Sequence, residues 1–151
     1  MRLQQTLLFA GALVAVPLSA VTAADVTFKY ISASDAARLV TADSSKKLYD
    51  IANTDAFRMA LQIRNSSGRA EKHLDWNEEI VVQEGDVLLN YGGTGSDIAE
   101  IAPGEFRGDS IIGGSSILMH AGDIVTIPAN SWHQMVIQTK MTRDILFRTK
   151  K

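Results

Sequence analysis

The sequence contains no cysteine among its 151 residues, and only three prolines. The absence of cysteine excludes disulfide bonds, Cys-x-x-Cys zinc sites and thiol nucleophiles. Neither sign of charge dominates, because 15 Lys+Arg stand against 17 Asp+Glu, a net charge of −2. A surface that binds nucleic acid needs a large excess of basic side chains, so we expect no nucleic-acid partner. Hydrophobic residues make up 46% and charged residues 21%, which is typical of one globular domain.

One apolar run near the amino terminus differs from the rest of the chain. It covers residues 7–16, follows the basic Arg2, and is followed by small residues that end in Ala23 and Ala24. This order predicts a secretory signal over residues 1–24, cleaved after Ala23 or Ala24. A membrane anchor is the alternative, but the run is shorter than the ~20 residues that span a bilayer. We therefore expect a single periplasmic or secreted domain over residues 25–151, free of the membrane after cleavage.

The periodicity of the remaining chain predicts an all-β domain with one short helix. The helix is expected at residues 34–40, with Ser32 or Ser34 as its N-cap. Alternation of apolar and polar residues over 57–64 predicts a strand with one buried face. Residues 91–114 are rich in glycine and are expected to be irregular. Further short strands are predicted within 78–89 and at 116–119, 124–127, 134–138 and 144–147. Many short strands with close turns are typical of a sandwich or barrel.

The strongest local pattern surrounds His133. Gly122 and Asp123 form a turn into a strand, and Pro128 ends that strand because proline cannot donate to the ladder. A tight turn then leads to His133. The pattern resembles the second motif of the cupin superfamily, which has a glycine, five residues, a proline, a turn and a histidine. Asn130 stands where the family has a glycine, and asparagine tolerates the positive φ that such a turn requires.

A near match to the first cupin motif lies upstream. Counting back from Gly85 places Glu78 at the family's glutamate and His73 at its second histidine. Glu71 then stands where the family has its first histidine. In a shifted register His73 pairs with Asp75 instead, and only two residues remain before Glu78. The spacing favours the first register.

The resemblance covers roughly residues 58–147 and implies a cupin-type jelly-roll β-barrel with a short N-terminal helix, its core at about 57–148. It also implies a divalent metal ion inside the barrel, held by His73, Glu78 and His133, with Glu71 as a fourth ligand. Two histidines with carboxylates suit iron, manganese or zinc. The alternative is a cupin without metal, in which His73, Glu78 and His133 form a buried hydrogen-bonded group.

Two functions fit such a barrel. The first is an exported metal-dependent enzyme that acts on a small organic molecule, as a dioxygenase, isomerase or lyase. In it the metal polarises a substrate oxygen, and Glu71 or Asp75, when it is not a ligand, is the catalytic group that moves a proton. The second is a non-catalytic module that binds a small molecule, a sugar or an acid. The fold supports both roles.

The remaining expectations concern assembly and single side chains. Cupins are commonly dimers, and the alternating residues 26–31 are predicted to add a strand to a neighbouring sheet, which implies a homodimer. His120 is interpreted as a structural strand residue. Trp76 and Trp132 are interpreted as packing residues, with a wall of the substrate cavity as the alternative.

Overall fold

The computed structural model describes residues 30–42 and 48–151. The predicted secretory signal and most of the predicted strand at residues 26–31 lie outside these residues. The two described members of that strand, Tyr30 and Ile31, belong to no regular element. Within the described ranges, no helix has the length and apolar character needed to span a membrane.

The described residues form one helix, α1 (Ala33–Ala42), and the regular elements after it are strands. In chain order the strands are β1 (Leu48–Asn53), β2 (Phe57–Arg64), β3 (Ala70–His73), β4 (Trp76–Glu84), β5 (Val87–Tyr91), β6 (Thr94–Gly95), β7 (Ala99–Ala102), β8 (Glu105–Gly108), β9 (Ile111–Ile112), β10 (Ser115–Met119), β11 (Ile124–Ile127), β12 (His133–Ile137) and β13 (Thr142–Lys150). The all-β prediction with one short helix is therefore confirmed. Ser32 is the N-cap, because its Oγ accepts the backbone N–H of Asp35 at 3.1 Å.

The strands form two antiparallel sheets that face each other. One sheet has the order β1-β2-β13-β4-β11 and the other β10-β5-β12-β3-β8-β7, while β6 and β9 form a small separate pair. Apart from β1–β2 and β7–β8, neighbours in these orders are distant in sequence, as in a jelly roll, and β3 and β12 are adjacent. An apolar core fills one part of the space between the sheets, with Ile80, Val82, Leu89, Met135 and Leu146 among its buried members.

Helix α1 covers the outer face of the first sheet. Its Leu39 packs with Tyr49, Leu61 and Ile63, and the Tyr49 hydroxyl donates to the Leu39 carbonyl at 2.8 Å. The apolar face of β2 is thus buried outside the barrel, beneath the helix. The prediction of one buried face is incomplete, because the opposite, polar face of β2 lines a cavity between the sheets.

The expectation of an irregular segment at residues 91–114 is wrong. Strands β6 to β9 lie there, each two to four residues long. They are too short, and too rich in glycine, to give a period in the sequence. Strand β8 pairs with β3, so that His73 lies opposite Glu105 and Glu71 lies opposite Arg107. This segment therefore supplies part of the surroundings of the predicted metal ligands.

Candidate functional site

The turn before His133 has the conformation predicted from its motif. Strand β11 ends at Ile127, directly before Pro128, and Asn130 has a φ of 65°. The Asn130 N–H donates to the carbonyl of His73 at 2.6 Å, so the turn of the second motif is bound to the strand of the first. His133 begins β12 beside Glu71 of β3. The two motifs are thus adjacent in space.

Both motif histidines are buried side by side. His73 is 2% and His133 1% exposed, and their ring centroids lie 5.5 Å apart. Glu78 projects toward them from β4 in the opposite sheet and is 3% exposed. One of its oxygens lies 3.3 Å from His73 Nε2 and the other 3.0 Å from His133 Nε2. The fold therefore brings three of the predicted ligands into one buried cluster.

The outer nitrogen of each ring is held by an acceptor. His73 Nδ1 lies 2.5 Å from Glu105 Oε2, and His133 Nδ1 lies 3.2 Å from the carbonyl of Ser131. A proton on each Nδ1 satisfies these contacts and leaves the Nε2 lone pairs directed at the cluster. Histidines that bind metals in proteins are held in this way, through the nitrogen that does not bind the metal.

Glu78 and His133 influence each other's ionisation. Burial acts to raise the pKa of Glu78, but its contacts with His133 and His73 and the charge of Arg148 hold that pKa well below the usual range. Burial acts to lower the pKa of His133, yet the contact with Glu78 and the charge of Glu71 leave it raised. Glu78 is therefore a carboxylate that attracts positive charge to the centre of the cluster.

Glu71 lies at the same centre, whereas Asp75 does not. The two oxygens of Glu71 lie 3.8 Å from His133 Nε2 and 3.7 Å from His73 Nε2. A metal ion could be held by Glu71, His73 and His133. Each offers one ligand atom, and these three atoms lie within 4.8 Å of one another. Asp75 is exposed in the turn between β3 and β4. The structure thus groups Glu71, His73, Glu78 and His133 and leaves Asp75 at the surface.

Arg148 is part of the cluster, although no motif in the sequence marks it. Its Nε donates to Glu78 Oε1 at 2.5 Å, and its Nη2 donates to His73 Nε2 at 3.0 Å. The position follows from alternation along β13, since Asp144, Leu146 and Arg148 share one face of that strand. Buried Asp144 and Leu146 mark that face as the inner one.

The residues of the cluster meet the requirements of a divalent cation. His133 Nε2 is buried and has no hydrogen-bond partner, although it lies close to a Glu78 oxygen. The lone pairs of His133 Nε2 and the Glu78 oxygen are 3.0 Å apart and repel each other unless a proton or a cation lies between them. Imidazole nitrogen with carboxylate oxygen is a donor set for iron, manganese or zinc. The Arg148 guanidinium already meets part of this need, at Glu78 and His73.

A polar cavity of about 220 Å³ opens beside the cluster. It is lined by Leu48, Arg58, Gln62, Arg64, Glu71, Glu78, Arg107, Leu146 and Arg148. Such a volume is below the ~300–1,000 Å³ of pockets for drug-sized ligands, so a guest is small. The sequence does not mark these arginines as site residues, because arginine on a half-buried strand is ordinarily at the surface.

A second cavity, of about 290 Å³, is apolar and contains none of the predicted ligands. Leu89, Ile117 and Ile127 are among its lining residues, together with Tyr91. Its lining suits an apolar guest and offers no group for chemistry beyond the Tyr91 hydroxyl and small polar side chains. The polar cavity is therefore the candidate active site.

Other singled-out residues lie away from the cluster. His120 is exposed, belongs to no strand, and contacts Asp86 Oδ1 at 2.9 Å, a hydrogen bond that raises the pKa of His120. The interpretation of His120 as a strand residue is wrong, because β10 ends at Met119. Trp132 is 7% exposed and its ring covers Gly95, where an added Cβ would lie 2.7 Å away. Packing therefore accounts for Trp132.

No protein-family model matches the sequence, and a comparison with curated proteins finds no significant match. The fold does have solved counterparts. The Bacillus halodurans protein BH2720 is similar with a TM-score of 0.54 at 14% identity, over 75% of this chain and 78% of that chain. Hydroquinone 1,2-dioxygenase from Sphingomonas sp. TTNP3, solved with 4-hydroxybenzoate bound, gives 0.55 at 8% identity, over 77% and 72%.

The Cnp3 cupin domain of Schizosaccharomyces pombe gives a TM-score of 0.52 at 6% identity, over 69% of this chain and 60% of that chain. Identities this low show a common fold and leave the activity open. The jelly-roll architecture inferred from the two motifs is thereby confirmed.

Proposed function

Because the described chain has the cupin fold, with two histidines and two glutamates grouped inside it, we propose that it is a metal-dependent enzyme that acts on a small organic molecule. The observation that supports this most is His133 Nε2, a buried nitrogen without a hydrogen-bond partner beside two carboxylates. Dioxygenase, isomerase and lyase reactions are the proposed reaction types. Fe, Mn and Zn are the proposed metals.

In this proposal His73, His133 and Glu71 hold the metal, and Glu78 is a further ligand or a neutralising carboxylate. Glu105 and the Ser131 carbonyl fix the two rings through Nδ1. A metal held by these residues would supply a Lewis acid for a substrate oxygen. His73, His133 and Glu78 are only 2%, 1% and 3% exposed, so the chain itself keeps bulk water away from these three side chains.

The carboxylates of the cluster are also the groups that can move a proton. Glu71 lies at the cavity wall, between the histidines and Arg107, whose Nη2 contacts Glu71 Oε2 at 3.1 Å. When Glu78 is the carboxylate ligand of the metal and Glu71 is not, Glu71 accepts or returns a proton for a cavity ligand within hydrogen-bond reach. Asp75 is exposed, which makes Glu71 the stronger candidate of the two acids predicted for this role.

A second function is favoured by Arg148. Its guanidinium contacts Glu78 and His73, so an internal cation already balances part of the cluster's charge. In that case the chain is a module that binds a small molecule without metal, in the same polar cavity. Metal affinity separates the two functions.

Metal titration of His133→Ala tests the proposal. We expect the wild type to bind one divalent ion per chain and His133→Ala to lose most of that binding, because one of a few ligands is removed. His120→Ala is the matched control, since His120 is exposed and pairs with Asp86. A wild type that binds no metal, or full stoichiometric binding by His133→Ala, contradicts the proposal.

A further inference from the structure

The polar cavity brings together an unusual amount of positive charge. Four guanidinium groups and two carboxylates line it: Arg58, Arg64, Arg107 and Arg148 against Glu71 and Glu78. From outside the lining, Asp50 pairs with Arg58 at 2.6 Å and Glu105 contacts His73 at 2.5 Å. Below about pH 7, where the nearby buried Asp144 is mostly protonated, these four carboxylates balance the four guanidiniums. A divalent metal ion then adds two positive charges, which an anionic guest would offset.

Arg64 is the guanidinium in this cavity with the fewest partners. It makes no hydrogen bond to any other described residue, and its Nε is buried without a partner. Its nearest carboxylate oxygen is Glu71 Oε1, at 3.8 Å from Nη2, which is too long for a hydrogen bond. Asp144 is the other buried acid near it, but the two form no ion pair among the described contacts. The Arg64 side chain is 14% exposed, so the cost falls on the Nε, because a buried guanidinium N–H without a partner is unfavourable.

The surroundings of Arg64 fix its position at the cavity wall. An added Cβ at Gly68 would lie 2.9 Å from Arg64 Nη1, so the missing side chain at Gly68 leaves room for the guanidinium. Arg107 lies across Glu71 from it, with Nη2 3.1 Å from Glu71 Oε2. Two arginines thus flank one wall of the cavity. Guanidinium groups bind carboxylates through paired hydrogen bonds, an arrangement that neutral ligands cannot reproduce.

We propose that the ligand of this cavity is a small organic carboxylate, and that Arg64, supported by Arg107, binds its carboxylate group. The inference rests on the proposed function, because it names the substrate class of the same site. Arg64 is the anchor of this group, whereas the metal and Glu71 face the remainder of the molecule. The size of the cavity limits the ligand to a small acid.

Binding of matched acids and amides tests this inference. Benzoate and succinate are titrated calorimetrically into the metal-loaded full chain, alongside benzamide and succinamide, which have nearly the same shape without the charge. Of benzoate and succinate, we expect the one with the higher affinity to bind at least tenfold more tightly than its amide. Arg64→Gln should lose at least tenfold of this affinity, because the charged hydrogen bonds are gone. Arg69→Gln, at an exposed arginine that pairs with Asp109, should stay within twofold of wild type.

A second variant, Gly68→Ala, keeps the Arg64 charge. It distinguishes loss of the acid site from misfolding of Arg64→Gln. Gly68→Ala places a methyl group against the movable end of the Arg64 side chain, so we expect the fold to persist while acid affinity falls severalfold. Metal content is measured on every sample. Metal binding without preference for acids over amides, or unchanged acid affinity in both Arg64→Gln and Gly68→Ala, overturns the inference alone. Arg64-dependent acid binding in a wild type that takes no metal supports the acid site and overturns the metal-dependent function.

Discussion

At the residue scale, Glu71 and Asp75 are the pair that separates the two registers of the first motif. Glu71 lies within 4 Å of both histidine Nε2 atoms, at 3.8 Å and 3.7 Å, whereas Asp75 is exposed in a turn. We therefore expect Glu71→Ala to weaken metal affinity at least tenfold, about 1.4 kcal/mol. Asp75→Ala should change it much less. Competition titrations with a metal-sensitive dye measure both, and affinities in the reverse order would favour the shifted register.

Replacement of Arg148 should have two opposing effects, lower stability without metal and higher affinity for metal. It is the hydrogen-bond partner of Glu78 and His73, so a metal ion competes with it for both groups. Arg148→Met should lower the unfolding free energy of the metal-free chain by on the order of 3 kcal/mol, because Glu78 loses its buried counter-charge. The same change should raise metal affinity. Thermal unfolding with and without metal measures both effects.

The control for Arg148→Met is Arg58→Met. Arg58 lines the same cavity but pairs with Asp50, away from the histidines. Arg58→Met should therefore leave metal affinity near that of the wild type. Weaker metal binding by Arg148→Met than by Arg58→Met would mean that the guanidinium supports the metal site instead of competing with it.

At the element scale, the turn between β4 and β5 depends on Gly85, the glycine of the first motif. Its φ is +79°, and an added Cβ would lie 2.4 Å from the carbonyl oxygen of Met141. Gly92 has a similar φ of +73° with nothing within 4 Å. Gly92→Ala therefore measures backbone strain alone, and Gly85→Ala measures strain and collision together. We expect Gly85→Ala to lower the free energy of unfolding, measured by urea titration, by about 1–3 kcal/mol more than Gly92→Ala does. Equal losses would show that the backbone of the turn shifts to make room for the methyl group.

The two motifs could be predicted from the sequence because their structure is local. Pro128 and Asn130 determine a turn within a few residues, and the structure has that turn with the expected positive φ at Asn130. Alternation likewise predicted β2, but it cannot say which face meets the core. In β2 the apolar Leu61 and Ile63 lie beneath the helix, while Gln62 and Arg64 line the cavity. Only the pairing of distant strands decides this.

The arginines of the site depend on the same long-range pairing. Arg107 reaches Glu71 because the short strand β8 pairs with β3, and Arg148 reaches Glu78 because β13 pairs with β4. Neither pairing leaves a local signal in the sequence. The histidines and Glu78 were found because a family motif marks them, whereas the groups that balance their charge follow no such motif.

At the scale of the whole molecule, Asp144 makes stability depend on pH. It is 0% exposed, both of its oxygens lack hydrogen-bond partners, and burial raises its pKa to about 7. The folded-state pKa exceeds the unfolded value, so ionisation adds no cost at a pH where Asp144 is protonated in both states. The cost grows as pH rises from about 4 to about 7, by up to about 1.4 kcal/mol per pH unit.

Asp144→Asn should therefore flatten the decline in unfolding free energy between pH 5 and 7, as measured by denaturant titrations. Asp109→Asn, at an exposed acid, is the control and should keep the slope of the wild type. His133, whose pKa is raised, adds a decline of the same sign as pH rises through its folded-state pKa, and both variants retain it. Parallel curves for wild type and Asp144→Asn would show that Asp144 is ionised in the folded chain throughout this range.

We propose above all that the barrel holds a divalent cation between its two motif histidines and Glu71. Anomalous diffraction from crystals of the metal-loaded protein, recorded on both sides of the metal's absorption edge, tests it most directly. We predict one strong peak inside the barrel, in contact with Nε2 of His73 and His133 and with a carboxylate oxygen of Glu71. A barrel interior without a peak, with Arg148 still bound to His73 and Glu78 at saturating metal, would contradict the claim.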